Sequence, residues 1–148
     1  MNLRELYQEV IIDHNKNPRN HHSMREATNE AYGFNPLCGD KLTVYLNIKE
    51  NIVEDASFVG CGCAISQASA SLMTDSLKGK TVEEVRILFD KFHAMLTSDE
   101  PQSDLNDDKL VVLAGVKTFP ARVKCATLAW HTLDAALKNY HKNEVKIC

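Results

Sequence analysis

Hydrophobic and polar positions change period along this chain. Leu3, Leu6, Tyr7, Val10 and Ile11 recur at spacings of three and four, which predicts an amphipathic helix over 3–15 that stops before Asn17-Pro18. Residues 26–34 are polar and weakly periodic, with Ala31, Tyr32 and Phe34 suited to an edge strand. From Leu42 the period is two: Leu42, Val44, Leu46 and Ile48 alternate with Thr43, Tyr45 and Asn47. Glu50-Asn51 then reverses the chain into Val53, Asp55, Ala56 and Phe58, an antiparallel hairpin.

After Ala64 the helical period returns. Ile65, Ala68, Leu72 and Met73 share a face, and Gly79 is the expected terminator. Thr81-Val82-Glu83-Glu84 places a hydroxyl three residues ahead of a carboxylate, the pattern of a capping box, and opens a helix that buries Val85, Leu88, Phe89 and Phe92. Thr97 to Asp108 is acidic and contains Pro101, which predicts a surface loop. A short helix with Leu110, Val111, Val112 and Leu113 follows, then a last helix carrying Ala126, Ala129, Trp130, Leu133, Leu137 and Tyr140. Strands first and helices after predict an α+β fold: a small antiparallel sheet of about three strands with helices packed on one face. The 148 residues, 44% apolar, fit one domain over 1–148 without repeats or linkers.

Charge narrows the partners. Seventeen Lys and Arg against 20 Asp and Glu give a net charge of −3, so the overall balance does not point to nucleic acid. No stretch approaches the roughly 18 apolar residues of a membrane span, and the start lacks a basic segment followed by an apolar run, so a cytosolic (cytoplasmic) protein is expected. Five cysteines in a reducing compartment argue for metal or sulfur chemistry rather than disulfides.

Four side chains from three stretches make up the candidate centre: Cys38, Asp40, Cys63 and Cys125. Cys38 and Asp40 share the turn Asn35-Pro36-Leu37-Cys38-Gly39-Asp40, where the intervening glycine lets the backbone aim a thiolate and a carboxylate the same way. Alone, such a pair also describes a buried thiol beside a turn-capping Asp. Cys63 ends a second glycine loop, Gly60-Cys61-Gly62-Cys63, and begins a helix, where exposed amides stabilise a thiolate. Cys61 competes for the same role; the helix-start argument favours Cys63, leaving Cys61 as a spare ligand or second thiol. Cys125 follows Pro120, a residue suited to a helix entry, and falls in the first or second turn. Three thiolates and a carboxylate suit tetrahedral Zn²⁺. Arg122 and Lys124 bring positive charge near the thiolates, either as a solvated helix start or as thiolate stabilisers and partner contacts. His14, His21 and His22 around Asn17-Pro18-Arg19-Asn20 read as a solvated surface turn rather than a metal site, and His93, His131 and His141 as surface positions on helices.

Laid side by side, these segments resemble the U-type iron–sulfur cluster assembly proteins (the IscU/NifU N-terminal-like family), and within them the SufU branch. The resemblance covers nearly the whole chain: Asp13-His14 with Asn17-Pro18-Arg19-Asn20, the Cys38-Gly39-Asp40 loop, Gly60-Cys61-Gly62-Cys63-Ala64-Ile65-Ser66, and Phe119-Pro120-Ala121-Arg122-Val123-Lys124-Cys125. Lys124, where IscU proteins usually carry His, and an acidic insertion at about 96–116 point to SufU. The second loop departs from that branch: SufU proteins typically have a non-cysteine where Cys61 stands, whereas IscU proteins place a ligand cysteine there. The resemblance implies a zinc-bound, sulfurtransferase-like partner of a SufS-type cysteine desulfurase, with Cys38 as persulfide acceptor and downstream iron–sulfur assembly proteins as further partners. It leaves open a scaffold for a transient [2Fe–2S] cluster on the same ligands, and a purely structural zinc.

Overall fold

The computed structural model describes residues 3–36, 38–97, 108–138 and 144–146. Helix α1 spans Leu3–Lys16 and ends where the sequence placed its stop; β1 (Asn29–Asn35), β2 (Asp40–Lys49) and β3 (Ile52–Cys61) follow. Helices α2 (Ala64–Leu77), α3 (Val82–Thr97), α4 (Asp108–Val112) and α5 (Val123–Leu137) come next, with 3₁₀ turns at Leu113–Thr118 and Pro120–Arg122 before α5. A short β4, Glu144–Lys146, closes the order.

The sheet order is β3-β2-β1-β4. β1, β2 and β3 pair antiparallel, as the alternating pattern predicts, and β4 adds in parallel beside Tyr32–Phe34. The segment expected as an edge strand is therefore internal over those three residues, because the C-terminal chain returns to cover it. Glu50 and Asn51, at φ 50° and 67°, form the two-residue reversal between β2 and β3, the left-handed pair that matches the twist of a tight hairpin.

Alternation along β2 puts Leu42, Val44 and Leu46 into the core, where α2 and α5 cover the sheet. Trp130 of α5 stacks on Phe92 of α3 with centroids 4.2 Å apart, and its indole N–H donates to Ser69 Oγ at 3.2 Å. The capping box is complete: Thr81 N–H donates to Glu84 Oε1 at 3.0 Å and Glu84 N–H to Thr81 Oγ1 at 3.2 Å. Behind it Val85 and Phe92 are buried, while Leu88 and Phe89 are half-buried at the edge of the core. α2 stops at Leu77, two residues before Gly79. The last helix ends at Leu137, so Tyr140 lies outside the described residues, as do His141 and most of the acidic loop after Thr97. Of the expected insertion at about 96–116, residues 108–116 fall in α4 and the 3₁₀ turn after it, where Leu110, Leu113 and Val116 are buried.

Three histidines, His14, His93 and His131, differ from their expected surface placement. His14 is only 1% exposed, and its Nδ1 lies 2.7 Å from Ser71 Oγ, which also accepts the Arg19 backbone N–H at 2.8 Å. Burial, and then Arg19, lowers its pKa. The motif Asp13-His14 with Asn17-Pro18-Arg19-Asn20 is thus a latch that ties α1 to α2, with Asp13 and Arg19 ion-paired at 2.7 Å outside it. His93 and His131 are half-buried against each other and Phe89 at the α3–α5 junction, with the two imidazole centroids 5.3 Å apart. His21 and His22 are exposed.

Candidate metal centre

Three loop–element junctions meet at one end of the sheet. The β1–β2 turn carries Cys38 and delivers Asp40 as the first residue of β2; Gly39 between them has φ +72°, a conformation that side chains other than glycine strain to adopt. Cys61 ends β3, and Cys63 is the N-cap of α2, its sulfur accepting from Ser66 N–H at 3.4 Å. This is the helix-start position argued from the sequence. Pro120–Arg122 form a 3₁₀ turn that leads into α5, and Cys125 sits in that helix's first turn.

Cys38 Sγ, an Asp40 carboxylate oxygen and Cys125 Sγ lie within 4.8 Å of one another. The Cys38 and Cys125 sulfurs are 3.1 Å apart, well beyond the roughly 2.05 Å of a disulfide. Cys63 Sγ falls outside that tight set, yet its loop is tied to it: Cys63 N–H donates to Asp40 Oδ1 at 2.8 Å. Gly62 makes this possible, since a Cβ there would collide with Asp40 Oδ1. Cys61 is exposed, Cys38 and Cys63 are half-buried, and Cys125 is fully buried.

Asp40 is itself fully buried, and its second oxygen, Oδ2, meets no hydrogen-bond partner. A buried carboxylate oxygen without a donor is costly unless a cation or a proton satisfies it. The thiols add to that demand. Burial first, then the neighbouring Cys38 and the negative charge of Cys63 and Asp40, push the Cys125 thiol far up from its ordinary pKa. A set this anionic ionises fully only around a positive charge. Sulfur and carboxylate donors in this number fit Zn²⁺, which takes Cys and Asp ligands in tetrahedral sites.

Arg122 stands at the mouth. Its Nη1 is 3.7 Å from Cys38 Sγ, and Cys125 first, then the charges of Cys63 and Cys38, raise the guanidinium pKa further. Cys38, Pro120, Ala121, Arg122 and Lys124 line an open cleft of about 600 Å³. On the other side of Arg122 an apolar groove of about 390 Å³ is lined by Tyr7, Ile12, Ile65 and Phe119, with Ile12 53% and Phe119 49% exposed. The sequence marks Tyr7 only as a member of the apolar stripe of α1, which gives no sign of its place beside the centre. Its hydroxyl is buried without a partner, and burial, then Cys63, raises its pKa.

The chain matches the NifU-like N-terminal domain model over residues 6–147, and it belongs to that family. It is 42% identical over 133 residues to the zinc-dependent sulfurtransferase SufU of Bacillus subtilis, covering 90% of each chain. It is 40% identical over 136 residues to the iron–sulfur cluster assembly scaffold protein IscU of Streptococcus pyogenes, covering 92% of this chain and 85% of that one. The crystal structure of a putative iron–sulfur cluster assembly scaffold protein for the SUF system from Fervidobacterium islandicum superposes with a TM-score of 0.83 at 34% identity, over 90% of this chain and 98% of that one. No helix among the described residues is long and apolar enough to cross a membrane.

Proposed function

We propose that this protein works in iron–sulfur cluster assembly as a zinc-bound sulfur acceptor, with Cys38, Asp40, Cys63 and Cys125 as ligands, and that Cys38 takes persulfide sulfur from a SufS-type cysteine desulfurase. The observation that carries this reading is the asymmetry of the sulfur pair. Cys125 Sγ is sealed in the core, whereas Cys38 Sγ, 3.1 Å away, lines the open cleft beneath the Arg122 guanidinium. A nucleophile that receives sulfur from another protein must be reachable, and Cys38 is the thiol of the tight set that is.

Zinc, when bound, supplies the positive charge that keeps these thiols ionised and shielded from oxidation. Asp40 ties two of the three stretches together by accepting the Cys63 amide at Oδ1, which leaves its buried Oδ2 unpartnered and available to a cation. Arg122 stabilises the Cys38 thiolate at the mouth and then the anionic persulfide formed on it. The transfer itself is a thiol–persulfide exchange: Cys38 attacks the outer sulfur of the donor persulfide, and the donor thiolate leaves. Cys63 is the preferred third ligand because its charge reaches Cys125 and Arg122, while Cys61 is exposed.

The test is a desulfurase turnover assay with and without the zinc-loaded protein. Several-fold stimulation that disappears in Cys38→Ala supports the reading, and an unchanged stimulation in that variant removes it. A second reading, a scaffold for a [2Fe–2S] cluster, is favoured by the presence of a further thiol, Cys61, beside the same ligands.

A further inference from the structure

Cys61 and Cys63 flank a single glycine, and the fold treats the two thiols differently. Cys61 ends β3 opposite the exposed Lys41, on the solvent face of the sheet, whereas Gly60 before it lies opposite the core residue Leu42. β3 is an edge strand in the order β3-β2-β1-β4, paired with β2 alone, and a stretch as rich in glycine as Gly60-Cys61-Gly62 brings few side chains to fix its register. The β2–β3 ladder already shifts register once, between Asn47 and Ile48.

Backbone contacts supply what side chains do not. A Cβ at Gly60 would collide with the Lys41 carbonyl oxygen, and one at Gly62 with Asp40 Oδ1. A one-residue slip in either direction therefore drives the Cys61 Cβ into one of these oxygens. The remaining route for Cys61 is to peel the strand end away from β2, and the path is short: Gly62 lies against the Asp40 carboxylate, and Cys61 is one Cα step of about 3.8 Å from it. Gln67, in the first turn of α2, closes that route. Its side-chain Nε2 donates to Gly60 O at 3.2 Å while its backbone N–H donates to Cys63 O at 3.1 Å, so one residue holds both ends of the loop.

We infer that Gln67 is a positioning residue that selects Cys63 over Cys61 as the third zinc ligand by clamping the Gly60 carbonyl to α2. This rests on the ligand set proposed above. With the clamp closed, Cys63 Sγ stays at the head of α2, where the Ser66 N–H stabilises a thiolate, and Cys61 stays on the solvent face. Without it the strand end is free to lift, and Cys61 competes for the metal.

The test uses the full chain and Gln67→Met, which keeps the length of the side chain and removes the donor. Zinc affinity is measured by chelator competition in Cys63→Ser, in Cys63→Ser/Gln67→Met, and in that double variant with Cys61→Ser added. One neutral hydrogen bond shifts a two-state partition by about fivefold, so the double variant is expected to bind zinc about fivefold more tightly than Cys63→Ser, and the gain to vanish when Cys61 is replaced as well. Loss of a merely structural contact weakens binding, so a gain reports selection. A double variant that binds no better than Cys63→Ser, or a gain that survives the loss of Cys61, overturns the role of Gln67. Alkylation of the zinc-loaded wild-type protein tests the ligand set separately. Cys63 shielded and Cys61 reactive supports that set, whereas Cys61 shielded instead, or neither thiol shielded, overturns the ligand set and this inference together.

Discussion

Asp40 Oδ1 accepts the Cys63 backbone N–H at 2.8 Å, and this one bond couples the first ligand loop to the start of α2 while the other carboxylate oxygen stays buried and unpartnered. Under the proposed zinc reading the carboxylate has two functions that separate by mutation. Asp40→Asn retains an oxygen for the amide but removes the charge. The expected outcome is a folded protein with weakened zinc affinity, read by competition with a chromophoric chelator.

The glycine that lets Cys63 approach is equally exposed to test. A methyl group at Gly62 would collide with Asp40 Oδ1, so Gly62→Ala must displace either the carboxylate or the loop. Zinc affinity is expected to drop by about tenfold or more with little change in far-UV circular dichroism. Unchanged affinity would show that Asp40 does not hold its position through Cys63.

Cys61 and Cys63 are separated by metal stoichiometry. Cys63→Ser is expected to lose bound zinc on dialysis, and Cys61→Ser to keep one zinc per chain, as measured by metal analysis of protein purified without added metal. A colourless zinc sample supports the acceptor reading, and a brown sample containing iron and sulfide supports the scaffold.

His14 gives stability a pH dependence with a defined sign. Its folded pKa is depressed from the ordinary value of 6.5 by burial, so the unfolded chain takes up the proton more readily. Stability is unaffected well above pH 6.5 and falls as pH drops through that value toward the lower folded pKa. His131 is depressed as well, by burial and then by His93, and it adds a contribution of the same sign. Urea denaturation at pH 7.5 and 5.5 should show a smaller loss in His14→Gln than in the wild type, against a lower starting stability because the Ser71 contact is altered. An equal loss in both would place the proton elsewhere.

Much of this was legible in the sequence, for physical reasons that differ by element. The period-two run from Leu42 and the capping box at Thr81 are local rules, and the structure obeys both. Cys38 and Asp40 were legible because a glycine between two donors fixes their relation within a single turn. What was hidden depends on contacts between segments distant in sequence. The turn at Asn17-Pro18 looks solvated by composition, yet Ser71, 57 residues beyond His14, meets the buried His14 ring and accepts the Arg19 backbone N–H. β4 is three residues long and pairs with a strand more than a hundred positions earlier, a relation that periodicity does not carry. The buried Tyr7 hydroxyl shows only once Gly115 and α1 are packed together, since it looks like any other apolar-stripe position.

The account stands or falls on where sulfur first lands. The decisive measurement is peptide-level mass mapping of the zinc-loaded protein, alkylated within the first turnover with desulfurase and L-cysteine. The account predicts an added sulfur atom on the Cys38 peptide. Sulfur found first on Cys63 or Cys125, or on no cysteine of this chain while the desulfurase keeps its own persulfide, would contradict it.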